Sequence, residues 1–140
     1  MHQKLKQSAI LCFFLLTISF RASAPCWQMI VIPDFFPIEP YKQLVYATAM
    51  VETGMDTLAY NPREEAAGIF QIRPVRLVDY NRRTGSTYTR QELFDYKVSE
   101  KIFLYYASQI GPYNFERIAR RWNGSGQQTD YYWKRIQEYL

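Results

Sequence analysis

From Pro40 to Leu140 the chain is punctuated by helix starts and stops, and this punctuation limits the fold more than any other feature. Pro40 suits a first helical position and Gly54 a C-terminal stop, so the first helix is predicted between them. Pro74 opens a second helix that runs to about Arg83, with Gly85 after it. Thr89 and Glu92 have the spacing of a capping box ahead of Leu93 and Phe94. Ser99 is expected to cap a helix carrying Ile102, Phe103, Tyr106 and Ser108, closed by Gly111-Pro112. Asn114 is expected to cap Phe115 to Trp122, and Thr129 to cap a final helix reaching Leu140. Between the first two helices lies Met55 to Arg73, a connection long enough to suggest function, in which a short β-hairpin is allowed. The expected fold is a single compact, mainly α domain over residues 40–140.

The preceding residues divide in two. Residues 1–24 have the form of a signal peptide: Lys4 and Lys6, an apolar run from Ser8 to Phe20, and Ala22-Ser23-Ala24 as a small-x-small cleavage pattern. The apolar run is shorter than the roughly 20 residues of a spanning helix. Export to the periplasm or beyond the cell is therefore expected, with the membrane met only through this segment. Residues 25–39 carry three prolines, Pro25, Pro33 and Pro37, and read as an extended arm.

Removing the leader changes what the composition implies. Of 17 basic residues, Lys4, Lys6 and Arg21 leave with it, so 14 remain against 13 acidic ones. That balance argues against a nucleic-acid partner. Cys12 leaves too, so Cys26 has no internal partner. His2 is the one histidine and is also lost, which excludes Ser-His-Asp and Cys-His chemistry and a His-containing zinc site. No metal and no cofactor is expected. Proton chemistry in such a chain falls to carboxylates, Tyr or Lys.

Among the carboxylates, Glu52 is singled out by position. On a helix from Pro40, the residues Tyr41, Leu44, Val45, Thr48 and Glu52 share one mostly apolar, inward face. Burial and the negative end of the helix dipole both favour the protonated acid there. A carboxyl group that keeps its proton near neutrality can serve as a general acid. The plainer alternative is a rim residue paired with Arg73. Asp56, Glu64 and Glu65, close in sequence, read as solvated loop charges, and Arg73, Arg76, Arg82, Arg83, Arg117, Arg120 and Arg121 as a surface with local acid partners.

Glu52-Thr53-Gly54, then Ala66-Ala67-Gly68-Ile69-Phe70-Gln71-Ile72-Arg73-Pro74, then Trp122-Asn123-Gly124 together resemble the soluble lytic transglycosylase domain of the lysozyme-like superfamily. Leu93-Phe94-Asp95, Tyr106, and Thr129 with Tyr132 add to the likeness, which spans Leu44 to about Ile136. The chain departs from the family pattern at Thr53 for Ser, at Phe70 for Met and at Arg121-Trp122 for Ala-Tyr.

The resemblance implies an enzyme that cleaves the β-1,4 bond between N-acetylmuramic acid and N-acetylglucosamine in peptidoglycan, leaving a 1,6-anhydro ring. It makes Glu52 the catalytic acid and base. It makes Gly68, Gln71, Tyr106, Trp122, Asn123 and Tyr132 substrate-binding or cleft residues, and the glycan strand the partner of a monomer. Two other readings stay open: a goose-type-lysozyme-like hydrolase on the same fold, and a non-catalytic peptidoglycan-binding module of an envelope machine.

Overall fold

Two helices that are far apart in sequence hold the architecture together. The computed structural model describes residues 38–140; the expected signal segment and all of the arm but Ile38 and Glu39 lie outside them. The first helix, α1 (Lys42–Thr53), ends at Gly54, which is left-handed (φ 64°) and donates to the Ala49 and Met50 carbonyls. Next come two short strands, β1 (Tyr60–Asn61) and β2 (Ala66–Ala67), paired antiparallel with Tyr60 opposite Ala67. An isolated bridge joins Ala67 to Ile72. There follow α2 (Pro74–Thr84), a 3₁₀ turn (Arg90–Phe94), α3 (Tyr96–Ser108), α4 (Phe115–Asn123) and α5 (Gln128–Gln137). The described residues are thus mainly helical with one small hairpin, the fold class the punctuation indicates. None of the described helices is long and apolar enough to cross a membrane.

Local signals account for most of the boundaries. Pro74 stands at the start of α2, and Gly85 (φ 71°) ends it. Thr89 and Glu92 form the capping box, opening a 3₁₀ turn instead of an α-helix. Asn114 caps α4 by accepting from Arg117 N–H at 3.0 Å. Three expectations are corrected. Pro40 precedes the first helix, which starts at Lys42. Asp95, not Ser99, caps α3, accepting from the backbone of Lys97 and Val98 at 2.7 and 3.3 Å. Ser99 is buried one turn inside and donates to the Leu93 carbonyl at 2.5 Å. Thr129 lies within α5, its hydroxyl donating to Gly126 O at 2.8 Å, and the helix stops at Gln137 short of Leu140.

The core gathers from all five helices, the 3₁₀ turn, β2 and the turn that follows it. Leu44, Phe70, Ile72, Ile102, Phe103 and Ile136 are wholly buried. Phe70 and Phe103 stack with ring centroids 4.9 Å apart, and Phe103 meets the Trp122 ring edge-on at 4.9 Å. Aromatic pairs of this kind add about 0.5–1.5 kcal/mol beyond the area they bury. α5 packs against both α1 and α4, so the end of the chain closes over its beginning.

Gly68 shows how tight the closure is. Its φ is +74°, and a Cβ there would come within 2.0 Å of the Leu93 carbonyl oxygen. Gly54 is also left-handed, but a Cβ would meet nothing within 4 Å. Gly54→Ala should therefore cost only the left-handed penalty, about 1–2 kcal/mol. Gly68→Ala must also displace backbone and should cost more than about 4 kcal/mol, in the range of severe core changes. Urea unfolding of the two variants checks the order; equal losses would remove the close approach as the reason for glycine at position 68.

Candidate active site

The last turn of α1 carries an acid into a largely dry environment. Tyr41, Leu44, Val45 and Thr48 of its face are buried, and Glu52 is partly buried, its carboxyl surrounded by protein. The Tyr132 hydroxyl, from the middle of α5, donates to Glu52 Oε1 at 2.7 Å. One turn on, Arg135 Nη2 donates to the Val51 carbonyl at 3.0 Å, so the same helix also ties down the backbone beside the acid. Arg73 does not clamp Glu52: its guanidinium pairs with Glu64 at 3.0 Å.

Opposing influences set the proton affinity of Glu52. Loss of hydration is the largest and raises its pKa above the ordinary value. The Tyr132 hydrogen bond and the positive charges of Arg76, Arg73 and Arg135 act the other way without reversing the shift. Tyr132 is itself pushed far up, by burial first and then by the Glu52 charge, so it remains a donor.

The connection after α1 is anchored to the helix end. Thr53, next to Glu52, donates through its hydroxyl to Ile69 O at 3.1 Å and to Ala49 O at 3.3 Å. This places the Gly68–Gln71 turn beside the acid's helix. Gln71 adopts φ +48°, and its Nε2 donates to Gly68 O at 3.1 Å and Ala59 O at 3.3 Å. Its amide nitrogen thus braces the turn, leaving Oε1 as the atom without a hydrogen bond among the described residues.

The other expected site residues are placed as follows. Asn123 is the last residue of α4, partly buried, and its side-chain amide has no hydrogen-bond partner among the described residues. Gly68 does not offer backbone to open space; it is buried, and the room left by its missing side chain is filled by Leu93 O. Trp122 does not present a bare face: it is 6% exposed, its indole N–H donates to Phe70 O at 3.2 Å, and the Arg76 guanidinium lies 3.9 Å over its ring. Tyr106 is not beside Glu52's carboxyl oxygens; its hydroxyl donates to Asp79 Oδ2 and to the Arg76 carbonyl, each at 3.0 Å. These three placements share a cause. Each residue packs against a neighbour distant in sequence, and that neighbour decides whether it faces core or solvent.

Arg76 departs from the expected surface of arginines with local acid partners: it is partly buried and forms no ion pair among the described residues. Its Nη2 donates to the Trp122 carbonyl at 2.9 Å, and its charge acts on Glu52. Burial depresses its own pKa. A signal was present: Arg76 is four residues before Tyr80 and adjacent to Leu77, the two buried residues of α2, and so flanks the inward stripe. Of the neighbouring acids, Glu64 pairs with Arg73, Glu65 lies 3.6 Å from Arg90, and Asp56 accepts from Leu58 N–H at 2.8 Å. Among the described residues no three His, Cys, Asp or Glu side chains gather as a metal site would need.

No protein-family model, curated protein or solved structure matches this chain.

The raised pKa of Glu52 has a consequence for stability. Because the fold favours the protonated form, the contribution is fully present below the ordinary value of 4.5 and is lost as pH rises through the raised value. Each tenfold change in proton affinity is worth about 1.4 kcal/mol. Glu52→Gln keeps an oxygen for Tyr132 and removes the charge. Its melting temperature should match that of the natural protein near pH 4 and exceed it at pH 7, by a few degrees for each kcal/mol. A variant that becomes the less stable partner as pH rises would mean that the ionised form is the favoured one.

Proposed function

We propose that this protein is a peptidoglycan lytic transglycosylase, a glycan lyase with Glu52 as its single acid and base. The observation that carries the reading is the carboxyl of Glu52, desolvated at a helix end yet hydrogen-bonded by Tyr132. Further support comes from the sequence resemblance running through Glu52, Gln71 and Asn123.

In the proposed reaction, protonated Glu52 donates to the glycosidic oxygen between N-acetylmuramic acid and N-acetylglucosamine. The carbon–oxygen bond breaks, and the substrate's own N-acetyl group stabilises the cationic carbon. Glu52, now a carboxylate, takes the proton of the muramic C6 hydroxyl. That oxygen bonds to the cationic carbon, closing the 1,6-anhydro ring, and Glu52 is protonated again. Tyr132 suits both halves of the cycle. Its hydroxyl stabilises the carboxylate after the first transfer, while burial favours the acid before it. The Gln71 Oε1 and the Asn123 amide are the polar groups left to meet the sugar's N-acetyl and hydroxyl groups.

Common glycosidases use two carboxyl groups, one of which activates water or attacks the sugar. Here the acids nearest in sequence to Glu52 have local partners. This favours intramolecular ring closure over the goose-type hydrolytic reading. An exported protein acting on wall strands as a monomer completes the proposal.

Glu52→Gln should remain folded and lose glycan cleavage by at least about a thousandfold, since the neutral amide neither gives nor takes the proton. Digestion of purified wall in ¹⁸O-water by the natural protein should give anhydro-ended products free of the label. Labelled reducing ends would identify a hydrolase. Binding of wall without release of any fragment would identify a non-catalytic module.

A further inference from the structure

A pocket of about 210 Å³ opens between α2, α3 and α4, and Glu52 is not among the residues that line it. On the scale of about 30 Å³ per liquid water this is room for roughly seven waters, enough for the end of a peptide. Its walls are of two kinds. Tyr106, Trp122, Ile110 and Ile118 supply flat and apolar surface, and Arg76, Arg83 and Arg121 supply three guanidiniums.

The charges of this pocket do not cancel. Asp79 is its one carboxylate, and that group is already engaged. It accepts from Arg82 Nη2 and Arg83 Nε, both at 2.7 Å, and from the Tyr106 hydroxyl at 3.0 Å. Arg76 and Arg121 form no ion pair among the described residues. Arg76 is the more consequential of the two. Its guanidinium is held over the Trp122 ring and fixed by the Trp122 carbonyl, a neutral acceptor. A desolvated cation whose close partners are a ring and a carbonyl is incompletely compensated, and an arriving anion recovers what dehydration cost. The planar fork of arginine matches a carboxylate, and the aromatic and isoleucine walls match an apolar or flat body beside it.

We propose that this pocket is a second binding site, for a small ligand bearing a carboxylate on an apolar body, and that the peptide stems of the wall polymer supply it. The choice of stems rests on the proposed function; the chemistry of the pocket does not. Arg76 links the two places, since its charge also reaches Glu52. A strand carrying peptides would then be held by its carboxylates as well as its sugars.

The test is a nuclear magnetic resonance titration of the full chain carrying Glu52→Gln, which removes cutting from the readout. N-acetyl-D-alanyl-D-alanine should bind saturably and move the Trp122 ring and indole signals together with those of Tyr106. Its C-terminal amide should bind at least tenfold more weakly, and Arg121→Ala, a change at an exposed side chain, should weaken the acid by a similar factor. Soluble glycan fragments bearing peptide stems should displace the dipeptide, and the same fragments stripped of their stems should not. Equal binding of acid and amide, displacement by equimolar inorganic phosphate, or an unaffected Arg121→Ala variant overturns the carboxylate site. Displacement by stripped glycan overturns the stem as its source. Because the readout is binding, a natural protein that proves unable to cut the wall refutes the proposed activity and leaves the pocket's result standing on its own.

Discussion

The last helix lies against the first, and the dryness of one carboxyl group depends on that contact. Tyr132 and Arg135, one turn apart on α5, reach Glu52 Oε1 and the Val51 carbonyl. Ile136 adds a wholly buried apolar side chain on the same helix. Without α5 the end of α1 would be open to water, and Glu52 would have an ordinary carboxylate's proton affinity. The docking of the chain's two most distant described helices is therefore a condition both for closing the core and for the raised proton affinity of Glu52. Any loosening of α5 should be felt at the acid before it is felt elsewhere.

Arg76 places a second constraint on the same region. Its guanidinium joins α2 to the end of α4 through the Trp122 carbonyl, and packs on the ring that Phe103 meets from α3. Three helices thus meet at one cation. In this arrangement Trp122 holds the guanidinium by its face, and Tyr106 holds the carbonyl of the same arginine and the carboxylate one turn on. The chain's departures from the family pattern fall in this area too, with Arg121-Trp122 standing where the resembled family has Ala-Tyr. Arg121 and Trp122 both line the pocket between α2, α3 and α4.

Elements set by local chemistry were legible in the sequence. Pro74, Gly54, Gly85, the Thr89–Glu92 box and Asn114 act within a turn of where they stand, so their effects could be read from spacing alone. The inward face of α1 was legible for the same reason, and with it the position of Glu52. What failed depends on distant neighbours. Ser99 has a capping residue's chemistry, but Asp95 holds the cap and Leu93 O takes the hydroxyl. Gly68 is expected at the cleft, yet the group that approaches it is Leu93 O, and no local pattern names it. Trp122 follows Ile118 and Ala119 at helical spacing, which marks a buried stripe. Arg76 looked like one arginine among many, because the cost of burying it becomes visible only once its ring and carbonyl partners are assembled.

A single group that must first give a proton and then take one back works best when neither of its forms is strongly preferred. Burial alone would make Glu52 a poor base, and hydrogen bonds and cations alone would make it a poor acid. The site combines the two: a dry helix end that favours the proton, with Tyr132, Arg76, Arg73 and Arg135 favouring its loss. The guanidiniums act through distance and do not clamp the carboxyl, since Arg73 is taken by Glu64 and Arg76 by the Trp122 carbonyl. Charge held near but not bonded to the acid moderates its proton affinity and leaves Oε2 without a hydrogen bond among the described residues. In a chain whose described residues contain no histidine, this balance is how one carboxyl group could serve as both acid and base.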